Sequence, residues 1–270
     1  MTSGVFHRPG CLKTIPLSDA RMKVLRLSAL LAMMVAGAFA ESPATSGAPT
    51  PTPSPSRVRQ PWELEWAYLS KYRDADEKLG PPGPAEKRVV FLGDSITEHW
   101  GTIDSAYFAR TGFVGRGIGG QTTSQLLVRF RQDVIGLKPA VVVILGGTND
   151  IAQNGGITTL GAIEDNLHSM VDLARLNGIR VVLASVLPAI DYPWRKGLEP
   201  ADKIAALNLW IEGFCRANHL VFLDYYSAVV DDKRAMKPGL SSDGVHPTAA
   251  GYSVMEPLAE EAVRAALAAD

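Results

Sequence analysis

Five short runs rich in β-branched and apolar residues recur along this chain: Val89–Leu92, Phe113–Val114 with its flanks, Val141–Leu145, Val181–Ala184 and Val221–Leu223. Stretches with apolar residues at helical spacing lie between and around them: Trp62–Leu79, Thr123–Ile135, Ile163–Asn177, Ala201–Ala217 and Ala249–Ala268. A strand that is apolar throughout must be buried on both faces. Strands of that kind alternating with helices predict a parallel sheet with helices packed on either side. Right-handed crossovers then bring the C-terminal end of every strand to one edge of the sheet, where ligands bind in such folds. The expected architecture is a three-layer α/β domain on a five-stranded parallel sheet, with its chemistry in the residues that follow each strand.

The rest of the chain frames this domain. Met22–Ala40 has Lys23 and Arg26, an apolar run from Leu27 to Ala36 and a small-x-small ending, Ala38-Phe39-Ala40. That pattern is a secretory signal peptide, with cleavage expected between Ala40 and Glu41 and Met22 as the expected start codon. Its apolar run is shorter than the ~20 residues that cross a bilayer, so no stable membrane insertion is expected after cleavage, and the protein is expected to be periplasmic or secreted. Residues 41–61 are rich in Pro, Thr and Ser and read as an extended linker, leaving the folded domain at 62–270. Lys+Arg 27 against Asp+Glu 28 gives a net charge of −1, without the basic surplus of a nucleic-acid binder. Two cysteines, one in the leader, exclude a disulfide scaffold, and Cys215 reads as a buried small hydrophobe.

Three strand ends stand out: Gly93-Asp94-Ser95-Ile96-Thr97, then Gly117-Ile118-Gly119-Gly120-Gln121-Thr122-Thr123, then Gly146-Gly147-Thr148-Asn149-Asp150. Each sets a polar side chain among small residues that let backbone N–H groups approach a ligand. Tight βα turns favour the same residues, so each is ambiguous alone. A fourth block, Asp243-Gly244-Val245-His246-Pro247, precedes the last helical stretch. Its spacing lets Asp243 accept from one imidazole nitrogen and leaves the other as a base. Asp243 as a helix cap is the plainer alternative. Among the other histidines, His168 and His219 fall in helical patterns, and His99 reads as part of a solvated helix face.

Taken together, Gly93-Asp94-Ser95-Ile96-Thr97, Gly120, Gly147-x-Asn149-Asp150 and Asp243-x-x-His246 resemble the four ordered blocks of the SGNH (GDSL) hydrolase family. The resemblance runs from about Arg88 onward. The segment Gly117–Thr123 is similar to the acetylhydrolase branch that acts on platelet-activating factor. Trp62–Lys78 and Asp191–Pro200 resemble secreted bacterial members. The resemblance implies a flavodoxin-like sheet and ester hydrolysis with no metal and no organic cofactor. It also implies Ser95 as nucleophile, His246 as general base and Asp243 as its orienting partner. The backbone N–H of Ser95, the N–H of Gly120 and the amide of Asn149 would form the oxyanion hole.

Rival motifs are weaker. Gly115-x-Gly117-x-x-Gly120 matches the dinucleotide fingerprint, but the strand before it is very short and the next lacks the ribose-binding acid. Ser95 does not sit in a GxSxG elbow, and neither a P-loop nor HExxH is present. The loop Val186–Pro200 overhangs the same edge. Tyr192 and Trp194 there are candidate stacking residues for a sugar, with Arg195 or Lys196 available to an anionic group, and Asp94 is a further candidate contact beside its role as a turn residue. The alternative is that these aromatics pin the loop to the core. The leading expectation is an esterase removing small acyl groups, acetyl first, from a saccharide or similar small-molecule ester. An acyl-chain lipase, lysophospholipase or thioesterase on the same site comes second, and a non-catalytic carbohydrate-binding module third.

Overall fold

The computed structural model describes residues 65–269; the expected signal peptide and the expected linker lie outside them. The strands are β1 (Val89–Gly93), β2 (Val114–Gly117), β3 (Val141–Leu145), β4 (Arg180–Ala184) and β5 (Val221–Leu223). They form one all-parallel sheet in the order β2-β1-β3-β4-β5. That order is the flavodoxin-like one, and its reversal point lies between β1 and β3.

Alternating strand residues feed two cores. Val90, Leu92, Val142, Ile144, Val181 and Leu183 face α4 (Thr123–Asp133), α6 (Leu160–Leu176) and α7 (Ala201–Ala217). On the opposite face, Val89, Phe91, Val143, Val182 and Leu223 meet α2 (Ser95–Ile103), α3 (Ser105–Thr111), α8 (Tyr225–Val229) and α9 (Ala249–Ala268). Two shorter helices, α1 (Arg73–Leu79) and α5 (Thr148–Ile151), complete the domain. Cys215 is buried within α7, and burial pushes its thiol up to about 12, which suits a packing residue.

The segment before β1 is less helical than its periodicity predicts. Only α1 is regular, and Tyr68 adopts a left-handed φ of 50°. Its carbonyls are claimed by side chains instead. Gln125 Nε2 donates to Trp66 O, Gln121 Nε2 to Ala67 O and Gln132 Nε2 to Leu69 O, which fastens the segment across α4 and its leading loop. Three glutamine bonds outcompete a local helix there.

The second strand ends directly on the first turn of α2. A Cβ at Gly117 would lie 2.1 Å from Glu98 N and 2.7 Å from Asp94 O, both backbone atoms that cannot step aside. Gly117→Ala is therefore expected to destabilise the fold by more than the ~1–3 kcal/mol of ordinary overpacking. Thermal denaturation checks this, and an unchanged Tm would contradict so close an approach.

Candidate active site

The first strand delivers Ser95 to the sheet's C-terminal edge as the first residue of α2. Asp94 is the helix N-cap, accepting the Ile96 N–H at 2.9 Å. The Ser95 N–H thus lies in the first turn of a nine-residue helix, where backbone donors have no intrahelical acceptor. His246 arrives from the loop before α9. Ser95 Oγ lies 2.9 Å from His246 Nε2, and Asp243 Oδ2 lies 2.6 Å from Nδ1.

Asp243 does two jobs with its two oxygens. Oδ1 accepts the backbone N–H groups of Val245 (2.9 Å) and His246 (2.8 Å), closing the turn, while Oδ2 meets the ring. Burial alone would raise its carboxyl. The His246 ring and the two backbone donors outweigh that and hold it down at about 2. An ionised Asp243 can only accept, so Nδ1 carries the ring proton and Nε2 is left to take one from Ser95. The two halves are tied together from behind, where the Tyr252 hydroxyl of α9 donates to Ile96 O of α2 at 2.7 Å.

The second block forms a wall beside Ser95. Gly120 is exposed with φ +75°, a conformation that suits glycine, and a Cβ on Gly119 would lie 3.7 Å from that of Ser95. Glu98 anchors this loop: Oε2 accepts the Gly119 N–H at 2.7 Å, and Oε1 binds Lys71 Nζ at 2.7 Å. Glu98 was not legible as a functional residue, although three residues past Ser95 on a helix is the same face. Gln121 and Asn154 likewise carry no functional signature in the sequence. Asn154 Nδ2 donates to Asn149 Oδ1 at 2.7 Å, and its Oδ1 accepts Trp194 Nε1 at 3.0 Å.

Several candidate residues sit differently from expectation. Asn149 is buried rather than open to the site, and its Nδ2 donates to Asp94 Oδ2 (3.2 Å) and Gln121 O (3.1 Å). Asp94 is 1% exposed and committed to these bonds, so a direct substrate contact does not fit it. Tyr192 is fully buried with its hydroxyl 3.0 Å from Thr148 Oγ1, so it pins the loop and has no face for a sugar. Trp194 does have one: it is 43% exposed, and its ring lies 5.9 Å from that of His246. His99 is half-buried with its ring 5.1 Å from that of His246, so it borders the site as well as solvent. Asp150 serves the fold, receiving the Thr123 N–H at 2.9 Å and the Thr123 hydroxyl at 2.7 Å at the start of α4.

Enclosure pushes the Asp94 carboxyl up from 3.8 to about 6, against the Ile96 N–H and nearby His246, which lower it. A carboxyl whose folded value exceeds its unfolded one stabilises the fold most when protonated. Stability from this group is full below about pH 4 and is lost as pH rises through about 6. Asp94→Asn removes the titration, so its Tm should gain on wild type progressively between those pH values. A constant Tm difference across that window would contradict the assignment.

The family described as GDSL-like Lipase/Acylhydrolase matches residues 91–254. The crystal structure of a GDSL-like lipase from Bacteroides thetaiotaomicron superposes with a TM-score of 0.73 at 45% identity, covering 75% of this chain and 100% of that one. An acetylxylan esterase of Geobacillus stearothermophilus is 24% identical over 207 residues, 64% of this chain and 91% of its own. An uncharacterized lipoprotein of Bacillus subtilis is 31% identical over 129 residues, 42% of this chain. The chain spans about half of that relative's length (53%). Among the described residues, no helix is long and apolar enough to cross a membrane.

Proposed function

The chain belongs to the GDSL-like lipase/acylhydrolase family, and we propose that this ester hydrolase is an exported serine esterase cleaving small acyl groups, acetyl foremost, from carbohydrates. The observation that most supports it is the relay from Ser95 Oγ (2.9 Å) through His246 to Asp243 (2.6 Å). In this reading His246 Nε2 takes the Ser95 proton as Oγ attacks the ester carbonyl, and Asp243 stabilises the imidazolium that forms. The Ser95 and Gly120 N–H groups meet the oxyanion. Asn149 joins them by sharing an amide hydrogen now directed at Gln121 O. The imidazolium then protonates the departing sugar oxygen, which leaves as the free hydroxyl with the acyl group on Ser95, and water repeats the sequence to release the acid.

The acetylxylan esterase relative supports the acetyl and saccharide assignment, and the lipoprotein relative agrees with export. The GDSL-like lipase neighbour favours a second reading, in which the acyl chain is long. Hydrolysis of nitrophenyl acetate, butyrate and octanoate separates the two. We expect kcat/KM to fall steeply with chain length; a rise would select the lipase reading, and no turnover on any of them would leave a binding module. The acid side of the pH profile gives a separate check. A protonated imidazole cannot accept the Ser95 proton, so kcat/KM should decline on acidification, and a profile flat down to about pH 4 would exclude His246 as base.

A further inference from the structure

A cleft of about 880 Å³ adjoins Ser95 along Gly119 and Gly120. An acetyl group would occupy a small fraction of it; clefts of this size take whole ligands of several rings. Its other walls are unlike a lipid tunnel. They include Trp66, which is 59% exposed, Tyr68, Lys71 and Arg195.

The backbone that carries the aromatic wall is fastened to the domain. Gln125 and Gln121 fix the carbonyls of Trp66 and Ala67, and Tyr68 is kept at φ 50°, an unfavourable backbone setting for a bulky residue. Aromatic side chains on a fastened backbone lose less entropy when a ring stacks on them than they would on a free segment. The charges then differ in kind. Lys71 and Glu98 neutralise each other at 2.7 Å, with the Lys71 ammonium 5.5 Å from the centre of the Tyr68 ring. Among the described residues, the Arg195 guanidinium meets only the Gln153 carbonyl, at 2.9 Å on Nη1, and no carboxylate lies within salt-bridge distance of it. Among the described residues, Arg195 is therefore a cation in the cleft without a compensating carboxylate.

We propose that this cleft is the alcohol-side subsite and selects an acidic saccharide, with a sugar ring on Trp66 and Tyr68 and a uronate carboxylate on Arg195. The assignment rests on the esterase reading above and narrows its substrate class. Planar guanidinium–carboxylate pairing is among the stronger polar contacts, so removing it should weaken recognition about tenfold or more.

The test compares acetylated xylo-oligosaccharides with and without a glucuronosyl substituent, with nitrophenyl acetate as reference ester. For wild type, kcat/KM should favour the acidic oligosaccharide, and Arg195→Gln should lower that acidic-to-neutral ratio about tenfold, mainly through KM. Trp66→Ala should lower the ratio of either oligosaccharide to nitrophenyl acetate. Added salt should shrink the acidic preference in wild type and leave Arg195→Gln insensitive. An acidic-to-neutral ratio that Arg195→Gln leaves intact would overturn the proposal. So would a Trp66→Ala ratio equal to wild type. Calorimetric titration of Ser95→Ala with the deacetylated acidic oligosaccharide reads the subsite without turnover. Binding there that Arg195→Gln weakens supports the subsite even if the esterase reading fails; no binding sinks the subsite while leaving esterase activity to stand.

Discussion

Ser95→Ala is expected to lower kcat/KM on nitrophenyl acetate by about 10⁴-fold or more while leaving Tm close to wild type. Without the hydroxyl there is no covalent route, and His246 and the oxyanion donors can assist only a slow direct attack by water. The fold should tolerate the change. Ser95 Oγ bonds to His246 Nε2 at 2.9 Å, and the capping of α2 belongs to Asp94. His246→Ala should be nearly as damaging, and the double variant little worse than either single one, because nucleophile and base act as one unit. Additive losses would mean that the two residues serve separate steps. Kinetics and melting measured on the same preparations decide this.

Asn149→Ala should cost both rate and stability. Loss of one oxyanion donor lowers kcat by about 10²–10³, with KM little changed, because the ground-state carbonyl carries far less charge than the intermediate. The same side chain is 2% exposed and bonds Asp94, Gln121 O and Asn154, so its removal strips partners from three polar groups at once. Such a loss costs about 1–3 kcal/mol, which is several degrees in Tm for a domain of this size. Asn149 thus links the Gln121 loop to the cap of the helix that carries Ser95. A variant melting like wild type with undiminished kcat would remove it from both roles.

What could be read from the chain follows from periodicity. The apolar runs mark β1, β3, β4 and β5 to within a residue, most cleanly β1 and β3, which are buried along their whole length, whereas β2 carries Arg116 and is marked by Val114 alone. The helices α7 and α9 coincide with their amphipathic stretches for a similar reason. The helix that begins at Ser95 was harder to see, since Gly93-Asp94-Ser95 has the composition of a turn and only the cap bond from Ile96 N to Asp94 reveals where it starts. Tyr192 and Trp194 are two residues apart with similar chemistry, yet one is buried on Thr148 and the other faces His246. Depth of burial in a long loop depends on what packs beneath it, which local sequence does not encode. Glu98, Asn154 and Trp66 likewise gain their places through contacts 21, 40 and 59 residues away along the chain.

The claim that Ser95 is a nucleophile activated by His246 is tested most directly by mapping a fluorophosphonate adduct. Such a probe reacts with an activated serine hydroxyl and stalls at a tetrahedral phosphorus that resembles the reaction's intermediate. The account predicts one adduct per chain, on the peptide containing Ser95, forming as activity is lost and absent from both Ser95→Ala and His246→Ala. Inactivation with the adduct on another residue and Ser95 unmodified, or labelling of Ser95 at full rate in His246→Ala, would contradict it.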